Sequence, residues 1–124
     1  MSSEHTWVIP PDLAAAGDVR RHVTGACTGM SPDTVDAARL LATELFSNAV
    51  RHGSGEVHLV VAREVGALRV EVHDEGLGQP ELADPSSAAE GGMGLRLVDA
   101  LANDWGVGTR GDGQPGKRVW FSIL

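Results

Sequence analysis

The chain has one cysteine, no tyrosine and no long apolar run, and it is short of cations. Among 124 residues Cys27 is the sole cysteine. No internal disulfide and no cysteine-built metal cluster can form from it, and a reducing, cytoplasmic setting is the expectation. Three Trp and two Phe are all the aromatics, while 42% of the chain is hydrophobic, so an aliphatic core is expected. Lys and Arg number 10 against 17 acids, a formal net charge of −7. Binding to a phosphate backbone relies on cationic contacts, and no stretch here collects more than two adjacent Lys or Arg, so direct nucleic-acid binding is not expected. No segment approaches the roughly 18 apolar residues of a membrane span. The opening MSSEHTWVIPPD lacks the cationic and apolar regions of a signal peptide.

What is present reads as one domain over residues 1–124, without repeats or a long linker. His5 to Ile9 suggests a short strand closed by Pro10 and Pro11. Leu13, Ala16, Val19, Val23 and Ala26 recur at helical spacing, predicting a helix from Asp12 to about Ala26. Ser31-Pro32-Asp33 is a helix start: the serine caps, the proline suits the first turn and the acid favours the positive end of the dipole. That helix is expected to run to His52 and stop at Gly53. Glu56 to Arg63 and Ala67 to Asp74 read as a hairpin about Val65-Gly66. Leu68, Val70 and Val72 alternate with Arg69, Glu71 and His73, and Asp74 has the parity of the apolar set. Glu75 to Gly94 reads as a loop of a length that is usually functional or disordered. Leu95 to Ala102 predicts a helix. Trp105 to Thr109 and Lys117 to Ile123 read as closing strands, with Val119, Phe121 and Ile123 facing inward. Hairpin-paired strands and separate helices predict an α+β two-layer sandwich, its sheet mixed or mostly antiparallel and its helices on one face.

Three clusters could carry chemistry. In LATELFSNAVRHG, Glu44, Asn48 and His52 stand four apart and form one ridge beside the apolar stripe. An asparagine oxygen can ligate Mg²⁺, which takes few protein ligands and completes its shell with water and phosphate oxygens. A carboxylate one turn earlier could accept a proton. In VHDEGLG, a core-facing Asp74 needs a partner, because an unpaired buried carboxylate is costly. The exocyclic amine of a purine would serve, and Gly76 and Gly78 would let the backbone approach a flat ring. In EGGMGLRLVDALA, Gly91, Gly92 and Gly94 lead into a helix whose free N–H groups could cradle phosphate. Each cluster alone also has an ordinary reading: boundary polar residues, a turn, a glycine-rich helix lead-in.

Taken together and in this order, ELFSNAVRHG, DEGLG and GGMGLRLVDALA resemble the motifs of the GHKL (Bergerat-fold) superfamily of ATPases and kinases. The likeness is nearest to its small anti-sigma factors with serine kinase activity. The resemblance implies ATP and Mg²⁺ as cofactors, Asn48 as the metal ligand, Glu44 as the catalytic base and Asp74 as the partner of the adenine amine. Gly76 and Gly78 would shape the base pocket, Gly92, Gly94 and Leu95 would lie at the phosphates, and Gln79 to Gly91 would form a lid. His52 would have a structural role at the helix end. The implied activity is phosphorylation of a serine on a STAS-type anti-anti-sigma antagonist, with a sigma factor as second partner. Homodimers are frequent in this branch. A nucleotide-dependent binding module without phosphotransfer is the alternative. One departure stands out. Family members often carry a threonine after the glycine of the last strand, but here Gly116 is followed by Lys117 and Arg118, leaving Thr109 or a water to supply that hydroxyl.

Overall fold

The computed structural model describes residues 3–76, 94–110, 113 and 115–124; of residues 94–96 it describes the backbone alone. The chain order is β1 (Ser3–Ile9), a 3₁₀ turn (Leu13–Ala15), α1 (Ala16–Gly25), α2 (Pro32–His52), β2 (Val57–Glu64), β3 (Ala67–Asp74), α3 (Gly94–Leu101), β4 (Asp104–Thr109) and β5 (Lys117–Ile123). The five strands form one sheet in the order β1-β2-β3-β5-β4. All four pairings are antiparallel. The α+β sandwich expected from the hairpin pattern is therefore present, with no parallel pairing among the described strands.

Local chemistry accounts for the boundaries. Asp12 accepts the Ala14 N–H at 3.0 Å and starts a 3₁₀ turn, so the helix expected from Asp12 begins instead at Ala16. Ser31 Oγ accepts the Thr34 N–H at 3.2 Å, with Pro32 and Asp33 in the first turn of α2. Val65-Gly66 closes the β2–β3 hairpin, and Gly66 adopts φ +73°, a left-handed turn conformation that glycine takes without steric cost.

The period-3.6 stripe of α2 lies on the period-2 inner face of the sheet. Ala38, Leu41, Ala42, Leu45, Phe46 and Ala49 of α2 are buried with Leu59, Val61, Leu68, Val70, Val72, Val119, Phe121 and Ile123. Helix α2 packs on β3 and β5, with α1 and α3 beside it. Cys27 is buried in this layer, and burial pushes its thiol pKa up.

The outer face of the sheet is more covered than the alternation suggests. Glu71, of outward parity, is only 7% exposed. Its carboxylate accepts from Arg69 Nε at 2.7 Å and pairs with His73 Nε2 at 2.8 Å, and Arg118 Nη1 lies at 3.7 Å. The His73 hydrogen bond is the largest cause holding the Glu71 carboxyl below its usual pKa; Arg69 and Arg118 add to it and burial opposes it. Trp120, opposite Gly106 across the β4–β5 ladder, closes over that glycine: a Cβ at Gly106 would come within 2.7 Å of the indole nitrogen.

Candidate nucleotide-binding site

Asp74 is the last residue of β3 and is 1% exposed. Its inward direction follows from the pleat, since Leu68, Val70 and Val72 share its parity. Cross-strand from it stands Lys117, first residue of β5, inward for the same reason with Val119, Phe121 and Ile123. Lys117 is itself 7% exposed and donates through Nζ to Asp74 Oδ1 at 3.0 Å. The Gly76 N–H donates to the same oxygen at 2.7 Å. A buried carboxylate is thus matched by a buried cation and a backbone donor, which offsets the cost of desolvating it.

Three glycines crowd Asp74, two of them its carboxylate and the third its backbone. A Cβ on Gly53 would come within 2.5 Å of Asp74 Cγ and 2.6 Å of the Ala49 carbonyl oxygen. On Gly76 it would meet Asp74 Oδ1 and Lys117 Nζ, each at 2.9 Å, and on Gly116 it would overlap the Asp74 carbonyl oxygen. Gly116 also holds φ +132°. Gly53 does end α2, its N–H donating to Ala49 O at 2.9 Å, but at φ −92°, ψ −165° it is extended and not left-handed. Its lack of a side chain serves the close approach to Asp74. The segment after Asp74 is tied to the α2–β2 connection: Glu75 N–H donates to Ser54 O at 2.8 Å, and Glu75 Oε2 accepts the Glu56 N–H at 2.6 Å.

The Gly53 contact joins the end of α2 to the tip of β3. Asn48 and Glu44 lie on α2 about one and two turns before it, both half-buried at the margin of the apolar stripe, and His52 is exposed. Gly94 and Leu95 form the first turn of α3, described in their backbone, and α3 packs against α2. Gly78, Gly92 and the expected lid from Gln79 to Gly91 lie outside the described residues.

Thr109 does not take the place of the missing threonine beside Asp74. It pairs with Lys117 on the far side of β5, two strand spacings, roughly 10 Å, from β3. Lys117 occupies the intervening position. The sequence did carry a signal for it: Lys117 has the inward parity of Val119, Phe121 and Ile123, as Asp74 has that of Leu68, Val70 and Val72. Two inward charges of opposite sign at strand ends call for each other, and the pairing register was the missing fact.

The sequence model of the histidine kinase-like ATPase domain matches residues 9–123. The chain belongs to the histidine kinase-like ATPase domain family. Curated proteins gave no match. Among solved structures, the histidine kinase domain of the blue-light activated histidine kinase EL346 from Erythrobacter litoralis is similar, with 27% identity and a TM-score of 0.56 over 90% of this chain. The chain spans 59% of that structure. Family membership places this histidine kinase-like ATPase domain in the GHKL superfamily and implies ATP binding. The residues present fit such a ligand. Glycine backbone closes directly on a buried acceptor, and the helix touching it carries a carboxamide and a carboxylate on one ridge.

Proposed function

We propose that this ATPase domain is an anti-sigma factor with serine/threonine protein kinase activity. Its substrate would be a serine on a STAS-type anti-anti-sigma antagonist, its second partner a sigma factor, and its cofactors ATP and Mg²⁺. The observation that carries the reading is the contact between Gly53 and Asp74, which sets the acid-tipped end of β3 against the helix bearing Glu44 and Asn48. The order ELFSNAVRHG, DEGLG, GGMGLRLVDALA supports the anti-sigma branch within the family.

In this reading Mg-ATP supplies the phosphoryl group and the charge neutralisation that lets it transfer. The protein's part is positioning. Asp74 accepts the exocyclic amine of the base, Gly53 and Gly76 keep the carboxylate approachable, and the Asn48 side-chain oxygen is the ligand offered to the metal. Glu44 accepts the proton of the substrate serine hydroxyl. The N–H groups of the first turn of α3 would be available to hold the phosphates, since a helix N-terminus favours negative charge.

The test is radiolabelled phosphate transfer from Mg-ATP to a purified STAS-domain protein, with wild type and Glu44→Gln compared. Phosphoserine with wild type and none with Glu44→Gln, at equal ATP affinity, is expected. Measurable Mg-ATP binding with no phosphoserine from wild type on any STAS partner would leave a nucleotide-dependent binding module in its place.

A further inference from the structure

The pairing of Asp74 with Lys117 changes what the base pocket can read. We propose that Lys117 is a specificity-determining residue which admits 6-oxopurines, so that the site takes guanine nucleotides alongside adenine nucleotides. This inference rests on the nucleotide reading of the site given above.

The argument begins with the hydrogen-bonding capacity left at the pair. Asp74 is acceptor-only when ionised, with about four lone-pair positions on two oxygens. Its bonds from described residues, those of Gly76 N–H and Lys117 Nζ, both fall on Oδ1. Lys117 carries three N–H donors, and among the described residues its side chain has one partner, Asp74. The pair therefore sets an acceptor and a cationic donor side by side, 3.0 Å apart and both buried, on the helix-facing side of the sheet.

In the pose that accepts the 6-amine of adenine, a carboxylate alone sets a negative charge against the O6 of guanine. An adjacent ammonium removes that penalty. Adenine can place its 6-amine on Asp74 and N1 toward Lys117. Guanine can place N1–H and its 2-amine on Asp74 and O6 on Lys117, which uses the carboxylate twice. Lysine donation to a guanine O6 is a common pairing in base recognition. A small hydroxyl in place of Lys117 could not match the charge at O6. Thr109 lies on the far side of β5 from Asp74, so it cannot restore a neutral contact.

The experiment is calorimetric titration of ADP, GDP and IDP into the full chain, wild type and Lys117→Thr, with circular dichroism as a check on folding. Wild type is expected to bind GDP and IDP within about tenfold of ADP. Lys117→Thr is expected to lower GDP affinity relative to ADP by at least about tenfold, in keeping with the discrimination carried by one good base contact. If Lys117→Thr does not fold, the wild-type comparison decides, because IDP carries O6 and N1–H without the 2-amine. ADP bound by wild type more than a hundredfold over GDP and IDP would overturn the inference and leave the nucleotide reading standing. So would an unchanged ratio in folded Lys117→Thr, or ADP binding to that variant alone, which would make Lys117 a plug. No binding of any of the three to either protein would overturn the nucleotide reading and this inference with it.

Discussion

Lys117 Nζ lies 3.0 Å from Asp74 Oδ1, and both residues are buried at facing ends of β3 and β5. The acid that would hold the base is therefore also half of an interior ion pair. Changes at either residue act on stability and on ligand binding at once, and the two effects can be separated.

Asp74→Asn should remove nucleotide binding, since the amide presents donors where an acceptor is needed, and should leave a buried ammonium without its counter-ion. Breaking a buried pair from one side typically costs about 3–5 kcal/mol. Asp74→Leu combined with Lys117→Met should recover most of that stability without recovering binding. Urea denaturation of the three proteins, with ADP titration of those that fold, checks both halves.

Gly116→Ala should be far more damaging than Gly66→Ala. Both glycines have positive φ. At Gly66 nothing lies within 4 Å of a Cβ, whereas at Gly116 a Cβ would overlap the carbonyl oxygen of Asp74, a residue paired in the β3–β5 ladder. The backbone penalty alone is about 1 kcal/mol or somewhat more, and overlap with backbone adds roughly 1–3 kcal/mol. Denaturation midpoints should rank wild type, Gly66→Ala, Gly116→Ala in falling order.

Asn48→Ala should cost little stability, because Asn48 is half-buried and no described residue hydrogen-bonds its side chain. If it is the metal ligand, the variant should bind ADP in the absence of Mg²⁺ as wild type does and lose the gain that Mg²⁺ brings. Titrations with and without the ion measure that difference.

Glu71 predicts an acid-sensitive fold. Its folded pKa lies below the usual carboxylate value through the His73 hydrogen bond, with Arg69 and Arg118 contributing. Between the folded and unfolded values the unfolded chain binds more protons. The stabilisation is therefore present above the unfolded carboxylate pKa of about 4.3 and is lost as pH falls through the lower folded value. Glu71→Gln should be less stable than wild type at pH 7 and show a shallower decline below about pH 4.5, as read from urea midpoints across pH 3–7.

Much of the fold was legible in the residues because it rests on local rules. The Ser31-Pro32-Asp33 cap, the apolar stripe of α2 and the alternation of β3 and β5 each follow from backbone geometry within a few residues. Where a neighbour's side chain competed, the local rule failed. Asp12 capped a 3₁₀ turn and shortened α1. Glu71 was buried by Arg69, His73 and Arg118 despite its outward parity. Gly53 was needed for its missing Cβ and not for a left-handed turn.

The sequence by itself determined that an acid would point inward at the end of β3 and that an amide and a carboxylate would share one ridge of α2, since strand and helix periods dictate side-chain direction. It could not determine what faces that acid. Which strand lies beside β3 is a matter of non-local pairing, and only the order β1-β2-β3-β5-β4 brought Lys117 across from Asp74 and left Thr109 one strand further away. Charge placement within a strand is local, whereas the partner of a charge is set by contacts between residues 43 apart in the chain.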